Sequence, residues 1–408
     1  MPTLAEELDI PHIDLMAAQA QTDRAERLSE VREQSWIARS DLGYVILSYE
    51  DCVAFLRDRR WHSAAAYLPE LLGVDIAEIM GRTNRRPGIL AAEGDEHSRL
   101  RRLVAPAFTP KAADRLRPYM REVVNRLIDP VAQSGRCELI ADVCEPYPIP
   151  IICKLLGAPE EDWKLFSRWA TDLLRIFNSN FMEDLPAIIK SQDEMREYVQ
   201  RLVERRRSTP ADDLLTDLIT AEQEGDRLDM EDLEGMAIAV LVGGTDTTRN
   251  QLACTVALFT NYPDQWRLLG ERPELAARAT EESMRVLGAI RGTGRFASED
   301  IEYRDVLFPR GSFISPSFVA ANTDKNVFSE PMTFDITREA ASSPHLTFGS
   351  GIHYCLGAWL ARAELQEALP ILAQRMPDLE VDGEIEWKPA ETAIWGPARL
   401  PLQFTPVS

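Results

Sequence analysis

No run of eighteen apolar residues occurs in this sequence, so no segment reads as a membrane-spanning helix. The longest candidate, MAIAVLVGG, gives way at once to TDTTRN. The first residues, MPTLAEELDI, carry neither a basic start nor an apolar stretch and do not read as a secretory signal, so a cytoplasmic protein without a membrane anchor is expected. Positive charge is scarce. With 45 Lys and Arg against 66 Asp and Glu the formal net charge is −21, a field that repels polyanions and argues against nucleic acid and anionic membrane surfaces as partners. Histidine occurs five times. The six cysteines, Cys52, Cys137, Cys144, Cys153, Cys254 and Cys355, form no CxxC pair and no disulfide-like spacing, which leaves reduced thiols and argues against zinc. Internal repeats, low-complexity tracts and Ser- or Gly-rich linkers are also missing.

What is present is the make-up of a soluble globular chain: 408 residues, 45% hydrophobic and 27% charged, enough for a sizeable core. Most of it carries a helical period. In 110–134, Leu116, Met120, Val123, Val124 and Leu127 recur at three- and four-residue steps with Arg and Glu between, the pattern of an amphipathic helix. Stretches 160–177, 186–207, 211–223, 264–269, 274–287 and 357–375 read the same way, divided by Pro or Gly. Strand-like pieces are short, at 43–49, 312–319 and 398–404. The expectation is a mainly α fold with a minor β portion, in a single domain over 1–408.

Residues 230–260 form the longest helical candidate, nearly all apolar and therefore expected in the core. Its centre breaks that pattern with Gly243, Gly244, Thr245, Asp246, Thr247 and Thr248. Two interior glycines cost roughly 1 kcal/mol each against alanine, and a buried acid costs more unless it is paired. Such a local conflict marks either a functional site, where Gly243 and Thr247 share one face and admit a flat partner, or a kinked core helix whose threonines bond back one turn.

The second conflict is FGSGIHYCLG, residues 348–357. Gly349 and Gly351 suit a tight turn around the sulfur of Cys355, and Gly357 opens the helical stretch AWLARAELQEALPIL. A thiol beside a helix N-terminus is held toward the thiolate form, and a thiolate is either a nucleophile or a metal ligand. Nucleophilic chemistry needs a general base, and His353 stands in no known Cys-protease pattern. Zinc needs more ligands of the same kind. Haem iron needs one protein ligand on its proximal side, and cysteine thiolate is an established choice, so haem fits best.

With these residues in view, the loop resembles the haem-binding signature of the cytochrome P450 superfamily, Phe-Gly-x-Gly-x-His/Arg-x-Cys-x-Gly, at every fixed position. The helix carrying GGTDTT looks like the family's distal I helix. Glu282-Ser283-Met284-Arg285 matches its ExxR motif, 321–338 is similar to the meander that ends in Arg338, and His97-Ser98-Arg99-Leu100-Arg101 matches its HxxxR motif. The resemblance covers essentially the whole chain and is closest to the soluble bacterial branch. It implies the P450 fold, with haem between the distal I helix and the proximal L helix.

The roles that follow are implied by that resemblance. Cys355 is the axial ligand of a haem b iron. His97, Arg101, Arg295 and His353 partner the two propionates, because buried carboxylates need cations. Phe348, Gly351, Leu356, Gly357, Ala361, Gly243 and Gly244 complete the cofactor site. Asp246 and Thr247 match the acid–alcohol pair that relays protons during oxygen activation, with the carboxylate expected to reach solvent. Glu282, Arg285 and Arg338 match the structural ion-pair triad. Ala289 stands where many relatives have proline, and Thr323 and Lys325 replace the common Arg and Pro of the meander.

The family's substrate-contact regions here supply Tyr67, Leu68, Leu71, Leu72, Val74, Ile76, Ile79, Met80, Phe177, Phe181, Ile290, Arg291 and Trp395, a lining for a hydrophobic organic molecule. Arg291 is also a candidate for an anionic substrate group. The implied activity is a monooxygenase reaction with O2, fed by an iron-sulfur ferredoxin and an NAD(P)H-dependent reductase. Arg99, Arg102 and Lys111 offer a basic patch for the ferredoxin. A monomer is expected. Two rival classes stand beside this reading: a haem-thiolate protein that binds ligand without turnover, and a haem-thiolate isomerase or dehydratase.

Overall fold

The computed structural model describes residues 2–15, 21–66, 88–178, 181–223, 228–339, 343–390 and 392–407. They fall into two compact units, the first built from Met1–Ser98, Ile290–Thr333 and Ala341–Cys355, the second from Arg99–Ala289, Phe334–Ala340 and Leu356–Ser408.

The first unit contains most of the strands. A five-stranded mixed sheet runs in the order Ile37–Ser40, Gly43–Ile46, Phe313–Pro316, Arg295–Ala297, Trp61–Ser63. Only the Gly43–Ile46 and Phe313–Pro316 pair is parallel. Gly43 is required there: its φ is +141°, and a Cβ would lie 2.4 Å from the Phe313 carbonyl oxygen. Thr3–Leu4, Val306–Phe308 and Ile301–Tyr303 form a smaller sheet. Between these layers Phe55 meets the rings of Trp61, Tyr303 and Phe308 at centroid distances of 5.1, 4.7 and 5.7 Å, the spacing at which aromatic edges and faces attract.

Two strand expectations end early for the same reason. The segment 43–49 stops at Ile46 because Ser48 caps the helix Tyr49–Arg57, its side chain accepting from the Asp51 N–H. The segment 312–319 stops at Pro316 because Ser317 accepts from the Ala320 N–H and opens the short helix Phe318–Asn322. In the meander, Asp324 is buried, accepts the Tyr49 N–H at 3.0 Å and lies 3.9 Å from Arg32. Lys325 pairs with Glu33 at 2.6 Å, and Thr323 Oγ1 donates to the Val319 carbonyl.

The second unit is a helical assembly. The amphipathic segment forms Pro110–Ala132, opened by Thr109 as cap and Pro110 in the first turn. It buries Met120, Val123, Val124 and Ile128 and packs along Ala358–Arg375. The long helix is continuous from Met230 to Phe259 and starts with a reciprocal Asp229–Asp232 capping box. Around it pack Pro148–Leu156, Trp163–Leu174 and Phe181–Ser208, while Pro263–Glu271 and Ala276–Val286 lie against Ala358–Arg375. The strand expectation at 398–404 resolves into Pro397–Arg399 and Pro401–Gln403, which join two different small sheets. Among the described residues no helix is long and apolar enough to cross a membrane.

Candidate functional site

The cysteines separate by exposure. Cys52, Cys144, Cys153 and Cys254 are buried, Cys137 is half-buried and Cys355 is exposed. Burial pushes the thiols of Cys137 and Cys153 up to about 12 and holds those of Cys52 and Cys144 well above the usual thiol range, so these four stay protonated at neutral pH. Cys355 is thus the accessible sulfur.

Its loop is shaped by two left-handed glycines, Gly349 at φ +72° and Gly351 at φ +73°. A Cβ on Gly351 would come within 2.2 Å of the Leu56 carbonyl oxygen, so the loop sits directly on the helix Tyr49–Arg57. Gly351–His353 is one 3-10 turn, closed by the Tyr354 N–H on the Gly351 carbonyl at 3.1 Å. The Cys355 N–H then donates to the Phe348 carbonyl at 2.9 Å. Three residues on, the helix Ala358–Arg375 begins with Gly357 as its cap, and Ala361 N–H reaches back to the Gly357 carbonyl at 2.9 Å. Leu356, Gly357 and Ala361 are half-buried in this first turn.

Three of the four expected propionate partners lie in the first unit. His97 is 3% and Arg295 5% exposed. The His97 and His353 rings are 4.5 Å apart between centroids. Arg295 Nη1 donates to Thr293 Oγ1 and the Gly294 carbonyl, and burial lowers its guanidinium to about 10 against the pull of Glu93. His353 Nε2 is 3.1 Å from both oxygens of Glu93. Burial works to raise the Glu93 carboxyl, but the His353 bond, the Ser63 N–H and the neighbouring histidine charges hold it below the usual range. The fourth expected partner, Arg101, is half-buried one turn after His97 on the helix Gly94–Val104.

In the second unit, the two glycines of the long helix do different things. Gly244 faces Pro148–Leu156, where a Cβ would lie 2.6 Å from Ile152 Cδ1, so it permits close helix packing. Gly243 has nothing within 4 Å of a built Cβ and is exposed within a core helix. Thr247 Oγ1 donates to the Gly243 carbonyl at 2.9 Å on that same open face.

Asp246 corrects one expectation. It is 5% exposed and ion-paired to Arg249, one turn on, rather than facing solvent. Arg249 also lies 4.0 Å from Glu145, which accepts from Ser167 Oγ at 2.6 Å. Burial lowers the Arg249 guanidinium while Glu145 pulls it back up. These residues line a tight cleft with Ile149, Ala170 and Thr245.

The triad is assembled. Glu282 receives Arg285 through two bonds of 2.8 Å and Arg338 Nε at 2.9 Å, and the Asp335 N–H adds a fourth contact at 3.2 Å. Glu282 and Arg285 are buried, the arrangement in which removing one partner strands a charge.

The substrate-lining expectation fares differently. Leu72 and Val74, with Tyr67, Leu68, Leu71, Ile76, Ile79 and Met80, lie outside the described residues. Trp395 is 1% exposed, stacks on Trp387 at 4.5 Å and donates its indole N–H to the Lys388 carbonyl, so it is core. Phe181 is buried too, whereas Phe177 is 42% exposed at the end of a surface turn. Ile290 packs on the core of the first unit, and the half-buried Arg291 fixes the helix Phe318–Asn322 by accepting the Phe318 N–H at 2.9 Å. In the expected basic patch Arg99 is ion-paired with Asp232 at 2.8 Å, and the Arg102 and Lys111 side chains are exposed.

Glu93, Arg249, Glu145 and Arg362, which holds Glu281 at 2.6 and 2.9 Å, went unread in the sequence. Arg249 alone had a local signal, three residues after an acid in an apolar helix.

These residues fit a haem. Among the described residues no three His, Cys, Asp or Glu side chains gather as a metal site. A thiolate such as Cys355 suits a metal that brings its other ligands with it, as a porphyrin iron does. Within the first unit the buried Arg295 and His97 suit carboxylates; within the second, the backbone at Gly243 is bare on its own helix.

The family model described as Cytochrome P450 matches residues 75–386. Luteothin monooxygenase from Streptomyces thioluteus is 35% identical over 400 residues, 97% of this chain and 96% of that protein. Mycinamicin IV hydroxylase/epoxidase from Micromonospora griseorubida is 33% identical over 407 residues, again 97% and 96%. The chain is also similar to the crystal structure of CalO2, with a TM-score of 0.89 at 29% identity, covering 97% of this chain and 100% of that one.

Proposed function

The chain belongs to the cytochrome P450 family and is a haem-dependent monooxygenase, and we propose that it oxidises a hydrophobic organic substrate with electrons from an external ferredoxin and NAD(P)H-dependent reductase. Bound haem supplies a thiolate-ligated iron at which dioxygen is activated. The observation that carries the site assignment is Cys355, exposed between two left-handed glycines and a helix N-terminus while four of the other cysteines are buried.

Cys355 Sγ would ligate the haem iron. His97, Arg101, Arg295 and His353 hold the propionates, and Phe348, Gly351, Leu356, Gly357 and Ala361 shape the cysteine side. Gly243 leaves the backbone of its helix open to a flat ligand, and Gly244 lets that helix pack closely on Pro148–Leu156. Thr247 Oγ1 and the Asp246 carboxyl handle protons. Asp246 does so under the control of Arg249, since its carboxyl takes up a proton from solvent only when the guanidinium leaves it, and Glu145 is the second carboxylate to which that guanidinium can turn. Glu282, Arg285 and Arg338 keep the scaffold rigid and touch no reacting atom.

Both units serve one catalytic domain in this reading, supported by a single family match that runs through segments of each. In the same proposal the enzyme works in the cytoplasm as a monomer, with the exposed Arg102 and Lys111 facing the ferredoxin.

The test is direct. Purified protein, reduced under carbon monoxide, is expected to give the thiolate-type band, and Cys355→Ala to abolish it. Titration with terpenoids, steroids, fatty acids, luteothin and mycinamicin IV is expected to find a ligand that shifts the spin state. A missing band in the wild type overturns the site. A tight ligand that yields no oxygenated product with ferredoxin, reductase and O2 overturns the turnover reading in favour of ligand binding.

A further inference from the structure

One acidic side chain has no part in the reading above, although it stands among the residues assigned to the propionates. Glu93 immediately precedes the helix Gly94–Val104 and is 14% exposed. Its Oε1 accepts the Ser63 N–H of the strand Trp61–Ser63 at 2.5 Å. Both oxygens lie 3.1 Å from Nε2 of His353, two residues before Cys355. His353 is itself packed on the His97 ring, and the guanidinium of Arg295 feels the Glu93 charge. One carboxylate thus ties a sheet strand and the start of a helix to the cysteine loop, beside two imidazoles and a guanidinium.

Buried carboxylates are costly, and this cluster is already assigned two from the haem. A third is retained only where its charge or its bonds are used. The two bonds to separate elements account for positioning. The charge has a further consequence, because a fixed negative charge in a poorly solvated site opposes the arrival of an electron.

Resting on the haem reading, we infer that Glu93 is a positioning residue that fixes His353 and lowers the reduction potential of the haem. The ferric state is thereby favoured until substrate binds, and electrons are not drawn from the ferredoxin to no purpose.

The experiment compares haem-loaded wild type, Glu93→Gln and Glu93→Asp by spectroelectrochemical titration without substrate. Gln keeps an acceptor for the Ser63 N–H and removes the charge. At a fixed potential the ferrous-to-ferric ratio is expected to rise at least threefold in Glu93→Gln, about 30 mV at 59 mV per tenfold change for one electron. Glu93→Asp keeps the charge and is expected to stay with the wild type. Haem transfer to apomyoglobin is expected to be faster in both variants, because His353 is held less firmly. An unchanged ratio in Glu93→Gln overturns the inference, as does an Asp variant shifted as far as the Gln variant. Failure of the haem reading is seen separately, as a missing thiolate-type carbon-monoxide band in the wild type.

Discussion

Replacing Lys388 by Met is expected to stabilise the protein at neutral pH and to do so less as the solution becomes alkaline. Lys388 follows the strand Glu386–Trp387, its N–H donating to the Gly396 carbonyl and its own carbonyl receiving the Trp395 indole. Burial, then the positive charge of Arg249, push its ammonium from 10.5 to about 8, with Glu145 acting in the opposite direction. Below pH 8 both folded and unfolded chains carry the proton, and the folded state bears the whole penalty. Between about 8 and 10.5 the unfolded chain binds more protons, so stability rises with pH until the amine is neutral in both states. At about 1.4 kcal/mol per tenfold change in proton affinity the ceiling is about 3 kcal/mol, and partial exposure of the side chain reduces this to about 1–2 kcal/mol. Met keeps most of the aliphatic stem and no charge. Urea unfolding of the haem-loaded protein at pH 7 and pH 10 is expected to show the variant ahead by that amount at pH 7 and by only about a quarter of it at pH 10, where the folded amine is neutral and the unfolded one still largely charged. An equal gain at both values would mean that Met packs better and that charge has no part in it. A loss at pH 7 would sink the reasoning altogether.

Three further outcomes follow from the same geometry. Arg249→Leu leaves Asp246 buried without its partner and is expected to cost about 3–5 kcal/mol by urea unfolding, with much of it recovered in the double variant that adds Asp246→Asn; a single-variant loss below about 1 kcal/mol would contradict the buried pair. Ala289→Pro removes the N–H that donates to Gln251 Oε1 at 2.9 Å and strands that buried oxygen, for an expected loss of about 1–3 kcal/mol; unchanged stability would show that Gln251 finds another donor. Glu364 is fully buried with Oε2 unbonded, and burial raises its carboxyl well above the usual range. Its folded form therefore keeps a proton that the unfolded chain releases, so it lowers stability as pH rises above the ordinary carboxyl range, by up to about 1.4 kcal/mol per pH unit. Glu364→Gln is expected to flatten the stability profile from pH 5 to 7, and identical slopes would rule out the protonated acid.

The parts of this fold that were legible in the sequence are those set by local periodicity or by one residue's own chemistry. Met120, Val123 and Val124 announce the buried face of Pro110–Ala132 because helical neighbours recur every three or four residues. Glu282 and Arg285 share a helix face at that spacing and find each other in the structure. The cysteine loop is legible because positive φ selects glycine at 349 and 351. Element ends were read less well: 43–49 and 312–319 have strand-like composition throughout, and a single capping serine decides where each strand stops. Contacts between distant segments left no local trace. Glu93 meets His353 across 260 positions and Arg99 meets Asp232 across 133, so neither pair carries a spacing signal.

The long helix shows why a violation of local rules must be taken residue by residue. From sequence, Gly243 and Gly244 carry the same cost, roughly 1 kcal/mol each against alanine. For Gly244 that cost is offset by packing, since any side chain would be driven into Ile152 and the glycine gains a close helix contact. For Gly243 there is no such offset, because a methyl group would meet nothing within 4 Å. Its carbonyl receives Thr247 Oγ1, but a serine or alanine at 243 would offer the same carbonyl. What glycine alone gives at 243 is a bare backbone on an open face of a core helix. Asp246 repeats the division, since Arg249 answers the charge without explaining why an acid stands there. Subtracting what packing and pairing account for leaves Gly243, Asp246 and Thr247 within two turns of one helix, and those are the residues that the proposed function assigns to a bound reactant rather than to the fold.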